Sequence, residues 1–191
     1  VHMFKLKQQQ AAAAAESAGG GGGGGGGRTR TISTSRDRLL LKEMSELQEV
    51  LTQQRTTLHL PNPSVLSEFV LTISPAEGLW AGGHFKFIVR VPEAYNLAPP
   101  EVTCQTRVWH PNVSEQGEVC LSLLRLNSID GFGWYPTRTL KDVVLGLESL
   151  FTDLCDFHDA LNAEAADQYR CNPQAFKLKV SEYIRRYACR K

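Results

Sequence analysis

With 191 residues, 42% of them hydrophobic, and a formal net charge of +1, the chain has the size and composition of one globular domain with an appendage. The charge is uneven, six Lys/Arg against two acids in residues 1–38 leaving 15 basic and 18 acidic residues in 39–191, which is too slight and too poor in basic-aromatic clusters for a nucleic-acid surface. No apolar run approaches the ~20 residues a membrane span needs, and five cysteines, at 104, 120, 155, 171 and 189, without a C-x-x-C pair or Cys/His zinc spacing, argue against a disulfide scaffold or a structural metal.

Residues 1–34 are expected to be a disordered extension. VHMFKLKQQQ runs into AAAAAESA and then unbroken glycine from Gly19 to Gly27, a stretch with little apolar surface to offset the backbone entropy of ordering glycine. Val1 and His2 precede Met3, so the natural start is expected at Met3-Phe4-Lys5-Leu6. Order is expected from Ser35, read as an N-cap, with Leu40, Met44, Leu47 and Leu51 spaced along one apolar helix face and Glu43, Glu46 and Glu49 on an acidic outer face.

Phe69, Leu71 and Ile73, then Phe85, Phe87, Val89 and Val91 after the turn-rich PAEGLWAGG, alternate as half-buried antiparallel strands do. PEAYNLAPP interrupts them, and EVTCQTRV reads as a further strand whose start is marked by Pro99-Pro100. After the polar loop LNSIDGFGWYP, the residues Leu140, Val143, Val144, Leu147, Leu150, Phe151 and Leu154 predict a long apolar helix. A short helix is predicted over Asn162 to Tyr169, and a last one after Asn172-Pro173, an N-cap followed by proline in the first turn, with Phe176, Val180, Tyr183, Ile184 and Tyr187 facing inward. Helix, strand meander, loop and further helices make an α+β fold with segregated elements.

The chemistry is sought in VWHPNVSEQGEVCLSLL, residues 108–124. A cysteine acts as a nucleophile through its thiolate, and a free thiol with pKa ~8.5 is only slightly ionised near neutrality, so a working cysteine must be accessible. Cys120 sits in a polar, Gly117-containing turn with Leu121, Leu123 and Leu124 as anchors behind it; a small buried hydrophobe is the alternative. Cys104, Cys155, Cys171 and Cys189 read as structural or incidental. Asn112 offers a carboxamide N–H to an oxyanion or to the turn's own backbone. His110 suggests a Cys-His dyad and hence a cysteine hydrolase.

His110-Pro111-Asn112, Cys120 eight residues on, the Pro-Pro strand before them and the Asp159-x-Leu161-Asn162 segment downstream together resemble a ubiquitin-conjugating enzyme over about residues 35–189. The long loop in LSLLRLNSIDGFGWYPTRTLKDVV, and the Met3-Phe4-Lys5-Leu6 start on a flexible tail, resemble the F-type subtype of the neddylation pathway. The resemblance implies an N-terminal helix, a four-stranded antiparallel sheet, an active-site loop and three further helices, with residues 35–191 as the catalytic domain.

It also implies that a ubiquitin-like modifier arrives as a thioester on a heterodimeric activating enzyme, passes to Cys120, and is attacked by a substrate lysine, on cullins with a RING-type ligase. ATP is spent by the activating enzyme, so neither cofactor nor metal is expected, and the setting is cytoplasm or nucleus. By resemblance Asn112 stabilises the oxyanion, His110 and Pro111 support the loop, and Asp159 is the acidic gate. The family commonly has proline after that acid where this chain has Ala160, which points to a more mobile gate loop; a helix cap or loop role is the alternative for Asp159. Met3, Phe4 and Leu6 would dock on the activating enzyme, with the Ala/Gly run as spacer, and an acetylated Met3 would engage a co-ligase. The first helix would meet the activating enzyme, and the loop from Pro92 to Leu97 with Trp134-Tyr135-Pro136 would meet the ligase. A ubiquitin-specific enzyme and a non-catalytic modifier-binding relative are the competing readings.

Overall fold

The computed structural model describes residues 34–51, 55–126, 131–152 and 160–189. Met3, Phe4, Leu6 and the Ala/Gly run, Leu154, Cys155 and Asp159 lie outside the described residues.

The first helix, α1 (Ser35–Leu51), is capped one residue earlier than the sequence suggests. Thr34 Oγ1 accepts from Asp37 N–H at 3.1 Å and Asp37 Oδ2 accepts from Thr34 N–H at 3.1 Å, so the reciprocal cap belongs to Thr34 and Ser35 is already helical. Leu40, Met44, Leu47 and Leu51 are buried as their spacing requires, and so is Glu43. The expected acidic outer face is therefore wrong at that position. Residue 43 lies three after Leu40 and four before Leu47, which places it on the inner stripe; Glu46 and Glu49 are exposed.

The strands β1 (Thr57–His59), β2 (Glu68–Ile73), β3 (Phe85–Arg90) and β4 (Glu101–Cys104) form one antiparallel sheet in the order β1-β2-β3-β4. Phe69, Leu71 and Ile73 and their partners Phe85, Phe87 and Val89 turn one face into the core, Leu71 directly opposite Phe87. β1 was not placed from sequence, because Thr-Leu-His is too short to show alternation. β4 stops at Cys104, short of the strand read over EVTCQTRV, because the chain bends there to build the loop that carries Cys120.

The next helix, α2 (Leu140–Ser149), starts at a capping box between Thr139 and Asp142 and buries Leu140, Val143, Val144 and Leu147. It ends before Leu150 and Phe151, which stay buried in the following turn, Phe151 stacked on Phe85 with ring centroids 4.4 Å apart. Asn172 closes α3 (Ala163–Cys171) and caps α4 (Pro173–Tyr183), whose Phe176 and Val180 complete the core, and a π-helical turn, Ile184–Ala188, follows. Four helices and a four-stranded sheet among the described residues make the α+β architecture. Among the described residues no helix is long and apolar enough to cross a membrane.

One buried carboxylate joins three of these parts. Glu43 Oε2 accepts from the Tyr95 hydroxyl at 2.6 Å and from Leu140 N–H, at the start of α2, at 2.8 Å. Burial, then the Glu43 carboxylate, push the Tyr95 phenol well above its ordinary range, keeping it protonated as a donor. Arg36, also on α1, donates to the carbonyls of Val91 and Pro92 at 2.6 and 2.9 Å. The 92–97 loop is thus held to α1 at two points, Pro92 and Tyr95.

Candidate active site

Beyond β4 the chain folds into a small hairpin against the sheet edge. Cys104 N–H donates to Gly117 O at 2.8 Å, Thr103 bridges to Glu118, and Val113 bridges to Val119. Gly117 lies at φ +88°, and a Cβ there would run into the Cys104 carbonyl oxygen. Only glycine permits this approach of two backbones. At the hairpin's end Cys120 N–H donates to Asn112 O at 2.8 Å, so the residue eight positions upstream becomes the neighbour of the cysteine.

Cys120 is half-buried. Behind it a 3-10 turn, Ser122–Leu124, follows Leu121, and Leu121, Leu123 and Leu124 pack on the core. Gly146 on α2 makes room for them, since a Cβ at that position would overlap the side chain of Leu123 and crowd Leu121. The turn closes with Arg125 N–H to Ser122 O at 3.0 Å, and Arg125 Nη2–H donates to Cys120 Sγ at 3.0 Å.

The tripeptide before the hairpin is buried throughout: His110 is fully enclosed, Pro111 is buried, and Asn112 is 2% exposed. His110 Nε2 bonds to Leu150 O at 2.6 Å and Nδ1 accepts from Asn112 N–H at 2.9 Å. A carbonyl partner on one nitrogen and an N–H partner on the other assign the neutral ring with its proton on Nε2. Its ring lies 4.6 Å from Trp80 and 5.9 Å from Phe151, and burial lowers its pKa to about 4 against the small opposing effect of the Leu150 carbonyl. Such an imidazole makes a poor proton acceptor for a thiol.

Pro111 O accepts from Asn162 N–H at 2.9 Å, and Asn162 caps α3 through Ala165 N–H at 3.0 Å. The downstream segment singled out in the sequence is thereby tied to the tripeptide, although Asp159 itself lies outside the described residues. Of the predicted site residues, then, His110, Pro111, Asn112 and Cys120 form one unit.

The other described cysteines differ from Cys120. Cys104 is buried, its thiol pushed up to about 12 by burial, and its Sγ donates to Thr106 O at 3.2 Å. Cys171 and Cys189 are exposed without the surroundings described above. No group of three His, Cys, Asp or Glu converges as a metal site among the described residues. Arg125 was missed from sequence; its only signal is a basic residue five positions after the cysteine, and the turn alone brings it back to the sulfur.

The 92–97 loop and the Trp134 region are bonded to one another. Trp134 Nε1–H donates to Asn96 O at 2.8 Å and Asn96 Nδ2 to Pro136 O at 2.7 Å. Leu97, Phe132 and Tyr135 are exposed around this junction.

A sequence model of the family described as "Ubiquitin-conjugating enzyme" matches residues 39–184. The chain is 56% identical over 160 residues to the NEDD8-conjugating enzyme UBE2F of Bos taurus, covering 84% of this chain and 85% of that protein. It is 54% identical over 160 residues to its namesake in Homo sapiens, with the same coverage. The NEDD8-conjugating enzyme ubc-12 of Caenorhabditis elegans is 52% identical over 155 residues, covering 80% of this chain and 86% of that protein. Among solved structures, the ubiquitin conjugating enzyme E2 domain of Toxoplasma gondii superposes with a TM-score of 0.68 at 25% identity, covering 81% of this chain and 99% of that one.

Proposed function

The chain belongs to the ubiquitin-conjugating enzyme family, and from that premise we propose that it carries a NEDD8-type modifier as a thioester on Cys120 and passes it to substrate lysines. The observation that carries the reading is Cys120 itself: half-buried, at the mouth of a hairpin that Gly117 pins to β4, and joined to Asn112 by a 2.8 Å backbone bond. The preference for the NEDD8-type modifier rests on the relatives just named.

In the first step Cys120 Sγ loses its proton to solvent and attacks the modifier's C-terminal carbonyl on the activating enzyme. A new S–C bond forms, the old one breaks, and the donor cysteine leaves as thiolate. In the second, a lysine amine attacks the same carbonyl, the C–N bond forms, Sγ departs, and the amine's extra proton is released. Asn112 is the candidate donor to the oxyanion of that second step. Asp159 is the candidate that orients the lysine, whose unperturbed pKa of ~10.4 keeps it protonated in water. His110 and Pro111 support the loop, a role favoured by the two engaged ring nitrogens of His110.

Residues 1–34 act as an extension to the catalytic domain of residues 35–191, with Met3, Phe4 and Leu6 docking on a heterodimeric activating enzyme that spends the ATP. Met3 also offers a site for a co-ligase once acetylated. The outer face of α1 meets the activating enzyme, and the bonded junction of the 92–97 loop with Trp134-Tyr135-Pro136 meets a RING-type ligase bringing cullin substrates in the cytoplasm or nucleus.

The test is incubation of the full chain with activating enzyme, ATP and either modifier. A reductant-sensitive adduct, lost in Cys120→Ala and formed faster with the NEDD8-type modifier than with ubiquitin, is the expected result. Equal charging by ubiquitin would remove the modifier assignment, and no adduct with either would leave a non-catalytic binder.

A further inference from the structure

Resting on the reading of Cys120 as thioester carrier, we propose that Arg125 is a further catalytic residue: its guanidinium holds Cys120 Sγ and meets the negative charge that the sulfur carries on attack and on departure. The contact is direct, Nη2–H to Sγ at 3.0 Å. Nitrogen–sulfur hydrogen bonds are longer than those to oxygen, so this is a close approach, and a charged donor roughly doubles the strength of such a bond.

Arg125 is exposed, yet its main chain is fixed on both sides. Its N–H closes the 3-10 turn on Ser122 O at 3.0 Å, and its carbonyl accepts from Trp134 N–H at 2.8 Å. Trp134 is buried and anchored through Nε1–H to Asn96 O. A surface arginine would ordinarily spend its rotamer freedom in water; here the turn and the Trp134 strut set its starting point over the sulfur.

The geometry serves both half-reactions. During charging, the proton leaves Sγ for solvent and the positive guanidinium stabilises the thiolate so formed. Its S–C bond to the modifier forms as the C–S bond to the activating enzyme breaks and the donor cysteine leaves as thiolate. During transfer, the C–N bond forms, the C–S bond breaks, and the departing thiolate finds the same cation before it regains a proton. No oxidant, reductant or further reactant enters. Between the two steps the sulfur is a neutral thioester and no longer carries the charge that draws the guanidinium to it. Arginine suits this exchange because it stays charged and presents several donors in a fixed plane.

The experiment compares Arg125→Gln and Arg125→Lys with the unaltered full-length chain. Peptide-resolved mass spectrometry follows carbamidomethylation of Cys120 at fixed pH, with exposed Cys189 as internal reference, and thermal unfolding checks the fold. Single-turnover charging and discharge to free lysine are timed on the same proteins. Arg125→Gln is expected to slow alkylation of Cys120 roughly three- to tenfold, less than a full charge-assisted bond because the guanidinium is exposed to water, and to slow discharge by a similar factor. Cys189 should alkylate as before, and Arg125→Lys should recover part of the rate. Alkylation of Cys120 at the unaltered rate in Arg125→Gln overturns the proposal, as does a loss shared equally by Cys189 or recovered in no part by lysine. Should the unaltered chain form no thioester with either modifier, the carrier reading fails on its own, while the alkylation arm still decides the Arg125 contact.

Discussion

Replacing Glu43 by alanine removes the acceptor shared by Tyr95 Oη and Leu140 N–H, both buried and both bonded within 2.8 Å. A buried donor left without a partner costs about 1–3 kcal/mol, so two of them, with the lost interaction of a carboxylate at the first N–H of α2, give about 4 kcal/mol. That is a large share of the ~5–15 kcal/mol that holds a typical domain folded. Glu43→Gln keeps one oxygen as acceptor and loses the charge, for about 1–2 kcal/mol. Tyr95→Phe removes one donor while Leu140 N–H keeps its partner, also about 1–2 kcal/mol. Because Tyr95 and Glu43 share a bond, the double variant should be less destabilised than the sum by about 1–2 kcal/mol. Urea unfolding followed through the buried Trp80, Trp109 and Trp134 measures all four proteins. A cost below about 1 kcal/mol for Glu43→Ala, or strict additivity with Tyr95→Phe, would refute the claim that this carboxylate joins α1, the 92–97 loop and α2.

Other outcomes follow from the same geometry. His110 takes up its proton near pH 6.5 when unfolded but only at about 4 when folded. The unfolded chain therefore binds more protons between those values, and stability present above pH 6.5 is lost on acidification toward pH 4, by about 3 kcal/mol; unfolding free energies across that window should slope less in His110→Gln. Gly117→Ala should cost more than about 2 kcal/mol, the left-handed backbone plus displacement of Cys104 O, whereas Gly131→Ala, with a positive φ but nothing within 4 Å of an added Cβ among the described residues, should cost only about 1 kcal/mol; denaturant midpoints separate the two. Asn112→Ala is expected to slow lysine discharge about a hundredfold and charging much less, read by single-turnover kinetics. Deleting residues 1–27 should slow charging at limiting activating enzyme and leave lysine discharge from preloaded chain unchanged, since tethering acts through effective concentration.

Much of the fold was legible because it is written in short-range patterns. The period-two alternation of Phe69, Leu71 and Ile73 and of Phe85, Phe87 and Val89 fixed which face of the sheet is buried, and Asn172-Pro173 marked the joint between α3 and α4. The core face of α1 was right at four leucine and methionine positions and wrong at Glu43, because residue type was allowed to outvote helical phase. The residue's three- and four-residue spacing to Leu40 and Leu47 already pointed inward; what sequence could not supply was the pair of donors, 52 and 97 residues away, that makes burying a carboxylate tolerable.

The site divides in the same way. His110-Pro111-Asn112 and Cys120 could be picked out by spacing, and Gly117 by its place in a polar turn, since these lie within one hairpin. By itself, however, the spacing also allowed a Cys-His dyad. The enclosure of His110 by Trp80, Phe151 and the Leu150 carbonyl, which keeps the ring neutral and its nitrogens engaged, depends on elements 30 to 41 residues distant. The guanidinium over Sγ likewise depends on a 3-10 turn braced by Trp134. Local periodicity and capping determine which segments are helix, strand or turn, because those preferences act over a few residues. Which buried polar groups are paired, and which cation faces the Cys120 sulfur, is decided only when distant segments close on one another and exclude water, for there each donor and acceptor must find its partner in space rather than in sequence.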